Sequence, residues 1–254
     1  MGTFGRRLLL AVDAKGYGGA DVVTQRQLQE AIQRLLGESA AAAGLARERW
    51  ETQTGGDSVF AILPAGASEP DLVDTFMRHL DAGLREFNRN RVREAWLRLR
   101  AVVHFGTASP AANGFEGRAP VEVGRMLDSK VLKAALAAAP DACLALAVSA
   151  TVFNDVISEA YTTIRAQEFR EVRIAEKEYT GRAWIWVPGH DAKALALGVA
   201  STSDAVDMGA SESTGGGTAS VASSPNEPTA LGDTVVQVIS GTIHAQGAVF
   251  GISK

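Results

Sequence analysis

Two aspartates stand where the chain turns. Asp13 ends the apolar run of residues 7–12 and opens onto a glycine-rich turn, Lys15-Gly16-Tyr17-Gly18-Gly19. Asp57 sits at the tip of Gly55-Gly56-Asp57, between strand-like runs at 47–54 and 58–63. If those strands are neighbours, both carboxylates project from one edge of a sheet. Paired hard oxygen ligands of that kind suit one or two Mg²⁺ ions. Taken singly, each acid reads first as closing a strand or a turn, where Asp is common.

The elements that must hold them follow from periodicity. Residues 7–12 read as a central strand buried on both faces. Thr24 can cap a helix running to about 43, with Leu28, Ile32, Leu35 and Leu36 on one stripe. Gly55-Gly56-Asp57 is a hairpin signal. Pro70 starts a second amphipathic helix carrying Leu72, Val73, Phe76, Leu80, Leu84 and Phe87. Residues 97–105 alternate as a half-buried strand, residues 121–139 form a helix, 143–148 the next strand, and 169–175 with 182–187 a closing hairpin. The order implies a mixed sheet with helices packed against it, an α/β (α+β) domain.

Composition removes several function classes. The net charge of −4 gives no general attraction to nucleic acid or to an anionic membrane. The arginines at 85, 89, 91, 93, 98 and 100 are interleaved with acids and read as a solvated helix end. Cys143 lies in an apolar run and reads as core. His79, His104, His190 and His244 lack metal-ligand spacing. No stretch approaches the ~18 apolar residues of a membrane span. The N-terminal Arg6-Arg7 and apolar run lack a signal-peptide cleavage pattern, so the expected location is cytoplasmic. Gly16-x-Gly18 lacks the third glycine of a dinucleotide fingerprint.

Several ordered segments resemble the catalytic domain of class III nucleotidyl cyclases. Val12-Asp13-Ala14-Lys15-Gly16-Tyr17-Gly18 resembles that family's first-strand Asp-Ile-x-Gly-Phe-Thr motif. Gly56-Asp57-Ser58-Val59-Phe60-Ala61 resembles its Gly-Asp-x-x-x-Ala hairpin, and the strand ending His104-Phe105-Gly106 its His-x-Gly strand. Gly117 precedes Arg125 by eight residues, the spacing from a glycine to the transition-state arginine, and 174–186 looks like the last hairpin. The resemblance implies a ferredoxin-like cyclase fold over residues 1–188 and a homodimer with sites between chains. It implies two Mg²⁺ or Mn²⁺ ions on Asp13 and Asp57, and Arg125 stabilising the α-phosphoryl group. Lys15, Gly16, Tyr17, Gly18, Gln53 and Lys177 would contact a nucleoside triphosphate, which would become a cyclic nucleotide and pyrophosphate.

The departures are specific. Val121 replaces the family's ribose-orienting asparagine, four residues before Arg125. Gln53 stands where adenylate cyclases carry the purine-reading lysine, and Gly114 where the base-contacting aspartate belongs. Either the base differs, a pyrimidine as in some bacterial anti-phage cyclases, or the chain is a catalytically degenerate nucleotide-binding adaptor.

After residue 188 the composition changes. Residues 189–231, rich in Ser, Thr, Gly and Ala, read as a flexible linker. Residues 232–254 are β-branched and nearly uncharged, which suits stacking of identical segments, with Gln237 and Gln246 able to form ladders. Pairing with the domain's own sheet edge, or simple dimerisation, is the alternative. The stretch resembles bacterial amyloid signalling motifs. Val236-Gln237-Val238 is similar to the core of the related RHIM motif, departing from it at Ile239. That resemblance implies a signalling or defence effector assembling with an amyloid-type partner protein.

Overall fold

The computed structural model describes residues 5–111 and 114–197. The tail residues Val236, Gln237, Val238, Ile239 and Gln246, and most of the expected linker, lie outside the described residues.

Strand β1 (Arg6–Ala14) is followed by helix α1 (Val22–Ala42) and the hairpin β2 (Glu51–Thr54) and β3 (Ser58–Ile62). A helical stretch comes next: α2 (Glu69–Asp71), a π-helical segment (Leu72–Phe76) and α3 (Met77–Asn88). Then come β4 (Leu99–Thr107), a small hairpin β5 (Ser109–Ala111) and β6 (Gly114–Glu116), and helices α4 (Arg118–Asp128) and α5 (Lys130–Ala138). Strand β7 (Leu144–Ser149), a helical turn α6 (Ala150–Val152) and the hairpin β8 (Arg170–Glu176) and β9 (Tyr179–Trp186) complete the order. The main sheet runs β2-β3-β1-β4-β7-β9-β8. β4 and β7 are parallel, and every other neighbouring pair in it is antiparallel.

β1 can be apolar at consecutive positions because helices cover both faces of the sheet. Leu8, Leu10, Val12 and Ala14 join the layer of α1 and α3, with Leu28, Ile32, Leu80 and Leu84. Leu9 and Ala11 point the other way and join Val123, Met126, Leu132 and Leu136 of α4 and α5. Each fully buried leucine contributes roughly 1.5–3 kcal/mol. This alternation decides the site, since it puts Asp13 on the α4 face. Cys143 is buried as expected, its sulfur accepting from Asn88 Nδ2 at 3.3 Å.

Local differences from the sequence reading have local causes. α1 begins before Thr24, because Asp21 is the cap and accepts from the N–H groups of Val23 and Thr24 at 2.9 and 3.0 Å. Residues 47–49 form a 3₁₀ turn instead of strand. The helix expected over 121–139 is two helices, broken at Ser129, whose hydroxyl accepts from Leu132 N.

Among the arginines read as solvated, Arg98 and Arg100 are partly buried and hydrogen-bonded inside the domain. Arg98 Nη2 donates to the carbonyls of Leu136 and Ala139 at 2.5 and 2.6 Å, and its Nε to Ala142 O at 2.7 Å. It thus satisfies carbonyls left open at the end of α5. Arg100 is the second, at the site below.

Packing also continues past residue 188. Arg85 Nη2 donates to Pro188 O, His190 Nε2 lies 3.0 Å from Asp141 Oδ1, and Arg170 Nη1 donates to Leu195 O at 2.5 Å. Ala192 and Leu197 are buried. Composition placed these residues in the linker; the structure holds them on the domain.

Candidate active site

The register of β1 brings the two aspartates together. Asp13 lies opposite Ser58 on β3, one residue from Asp57, and Ala14 N donates to Asp57 O at 2.9 Å. On its other side Asp13 lies opposite Arg100 of β4. Arg100 Nε donates to Oδ1 at 2.8 Å and Nη2 to Oδ2 at 2.5 Å, a bidentate pair. The Asp13 and Arg100 side chains are only 15% and 13% exposed, so this is an interior ion pair. Burial pushes the Asp13 carboxyl above its ordinary range, against Arg100, which lowers it; the charges of Asp57 and Asp128 add to the rise.

Arg100 is engaged by Asp13, and the charge of neighbouring Asp57 still disfavours ionisation of Asp13. The donor types would suit a hard divalent cation: two aspartates at adjacent register positions, with lone pairs on Asp13 beyond those Arg100 uses. Among the described residues, no group of three or more His, Cys, Asp or Glu is gathered for a metal. A cation here would therefore need further oxygens from backbone, water or ligand phosphates, the usual habit of Mg²⁺.

The loop after β1 is tied to the same rim. Gly16 has φ 81°, the left-handed conformation that favours glycine. Lys15 N donates to Arg98 O, Gly19 N to Gly16 O and Ala20 N to Tyr17 O, so these N–H groups are committed within the chain. The Lys15 ammonium is held below its usual range by burial first, then by Arg98 and Arg100. Tyr17 is a brace. Gln29 Nε2 donates to its hydroxyl, and a Cβ added at Gly56 would lie 3.2 Å from that oxygen. The ring thus spans from the loop to the turn that carries Asp57.

Gln53 and Gly114, far apart in sequence, meet. A Cβ at Gly114, where φ is 108°, would lie 2.3 Å from Gln53 Oε1. Phe115 packs on Phe60 with ring centroids 5.2 Å apart. Beside them is a cleft of about 280 Å³ lined by Ala11, Val12, Gln53, Thr54, Phe60 and Leu127, among others. Gly18 lies in the loop with open space around its Cα.

Arg125 and Lys177 belong to a second cluster. Arg125 Nη2 donates to Glu178 Oε1 at 2.7 Å, and its Nε is buried with no hydrogen-bond partner among the described residues. Lys177 and Glu178 form the β8–β9 turn, with Lys177 at φ 52°. In the sheet, β4 and β7 separate β1 from this hairpin. Val121, one helical turn before Arg125, is half exposed. His104 is buried, its Nε2 3.2 Å from Glu122 Oε2, and burial lowers its pKa more than Glu122 raises it.

Sequence reasoning missed Arg100 and Glu178. A signal existed for Arg100: a charged residue inside an apolar strand requires a partner. Glu178 carried none, being one acid in a polar turn.

No protein-family model matches the chain, and no curated protein does. Solved structures do. An adenylate/guanylate cyclase/hydrolase from Silicibacter pomeroyi has a TM-score of 0.54 and 16% identity, covering 74% of this chain and 99% of that one. A bacterial light-regulated adenylyl cyclase has a TM-score of 0.50 and 12% identity, covering 76% of this chain and 56% of that one. The domain has the adenylate/guanylate cyclase fold, a seven-stranded mixed sheet with packed helices. Among the described residues, no helix is long and apolar enough to cross a membrane.

Proposed function

We propose that this chain is a nucleotidyl cyclase-like effector that converts a nucleoside triphosphate to a cyclic nucleotide and pyrophosphate. The observation that carries the reading is the adjacency of Asp13 and Asp57 at one rim of a sheet with the cyclase fold. Asp13 and Asp57 would hold Mg²⁺ or Mn²⁺, two ions by the family resemblance. Such cations would supply Lewis-acid stabilisation of the ribose 3′ oxygen and of the phosphates. Arg100 orients the Asp13 carboxylate through two hydrogen bonds, and with Lys15 it gives the rim cations that favour an anionic ligand.

Gln53, facing the cleft, offers one amide donor pair and one acceptor to the edge of a base. Gly114 leaves the room that the Gln53 side chain occupies. Arg125 and Lys177 would stabilise charge on the phosphoryl groups. They lie on the β8–β9 flank of the same chain, so a homodimer in which a second copy faces the aspartates is part of the proposal. Residues 232–254 enter it as a self-assembly segment that recruits an amyloid-type partner.

The test is incubation of the purified protein with each ribonucleotide and Mn²⁺, read by mass spectrometry and pyrophosphate release. Turnover that disappears in Asp57→Ala supports the reading; no turnover with any of the four sinks it. A second reading, a nucleotide-binding adaptor without turnover, is favoured by Val121 in the ribose-orienting place. It predicts nucleotide binding without product, and signalling that survives Asp57→Ala.

A further inference from the structure

Arg125 is held in a way its role as a phosphoryl ligand does not require. Its Nη2 is taken by Glu178, while its buried Nε has no acceptor among the described residues. Glu178 itself is 67% exposed, so packing does not fix it there; its partner does. Lys177, adjacent in the turn, is the second cation acting on that carboxylate. Lys177 also adopts a left-handed backbone, uncommon for a residue with a side chain.

We propose that Arg125 and Lys177 form an anion site whose internal occupant is Glu178, a carboxylate standing where a phosphoryl group of a nucleoside triphosphate or of pyrophosphate would bind. The inference rests on the role given to Arg125 and Lys177 above and adds the competitor. Carboxylate and phosphate both offer paired oxygens to a guanidinium, so one can replace the other. Glu178 engages Nη2 alone. A phosphate in place of Glu178 brings more charge and more acceptor oxygens to Nη2 and to the Lys177 ammonium than one carboxylate does. Exchange swaps one anion for another and leaves Arg125 charged throughout. A chain without nucleotide is therefore self-quenched at this flank.

The experiment is calorimetric titration of inorganic pyrophosphate, without divalent cation, into the full 254-residue chain and its variants. Glu178→Gln is expected to bind about two- to fivefold more tightly, the range a partly exposed ion pair supports. Glu176→Gln removes the same charge two residues away, where the carboxylate accepts from Lys130 N, and is expected to stay near wild type. Arg125→Ala should weaken binding in both the wild-type and Glu178→Gln backgrounds. Equal affinity of wild type and Glu178→Gln, equal gains in the two glutamine variants, or no pyrophosphate binding by any of them overturns the competitor. A Mn²⁺ titration read by electron paramagnetic resonance reports the Asp13–Asp57 pair separately. Loss of that signal's dependence on Asp57 counts against the proposed function and leaves the pyrophosphate comparison readable.

Discussion

The two flanks of the sheet carry the same design with the signs exchanged. On the β3–β1–β4 flank, one arginine is clamped on Asp13 with a second acid, Asp57, in the neighbouring turn, and the pair that forms is interior and bidentate. On the β9–β8 flank, two cations act on one acid, and that acid, Glu178, is mostly exposed while Arg125 is not. The difference lies in burial. The first arrangement cannot lose its counter-charge cheaply, because a carboxylate stripped of its partner in the interior is expensive. In the second, Glu178 can leave cheaply because water takes it up, while Arg125 still calls for an anion. On the proposed function, the acidic flank keeps its arginine while taking up a divalent cation. The basic flank is built to exchange.

Arg100→Ala tests the first half of that contrast most severely. Stability should fall by roughly 3 kcal/mol, the low end for a broken buried pair because Asp13 can take up a proton. Millimolar Mn²⁺ should restore much of the loss, since a ligand of the native state stabilises it by mass action. Thermal melts with and without Mn²⁺ measure both; a loss indifferent to the metal would break the comparison. Asp57→Ala should lower turnover about a hundredfold or more, as loss of a positioning ligand does, with little change in melting temperature.

Gly114→Ala should cost about 1–3 kcal/mol, because φ 108° strains any side chain and the new Cβ meets Gln53. Adding Gln53→Ala should recover part of it, the clash without the strain, in a denaturant double-mutant cycle.

The smallest effect is on the exchangeable flank. Arg125 holds the Glu178 carboxyl below its ordinary value of 4.5. A lowered carboxylate pKa stabilises the fold above the unfolded value, and that contribution is lost as pH falls through the folded one. In Arg125→Ala the Glu178 titration followed by NMR should move up toward 4.5.

The scaffold was legible where the signal was local. The apolar run of β1, the Gly-Gly-Asp hairpin and the stripe of α1 each announce themselves, and together they place Asp13 beside Asp57. What stayed hidden was non-local. Arg100 becomes a partner only when β4 lies against β1 in one register. Arg98 looks like a surface charge until the end of α5 is brought over it. The break at Ser129 is masked by an apolar stripe that continues through it. The meeting of Gln53 and Gly114 depends on how the β5–β6 hairpin folds back, which neither segment encodes alone. Residues 189–197 read as linker because small and polar residues such as Gly189, Asp191, Ala192, Lys193 and Ala194 open the segment, although Leu195 and Leu197 are apolar enough to dock.

That docking sets where the domain can be cut. An excision at residue 188 would strip Leu197 from its apolar cluster and leave the Arg170 guanidinium without the carbonyl of Leu195. Tension on the chain at Leu197 would first draw that side chain from its cluster and then pull on Arg170, at the start of edge strand β8.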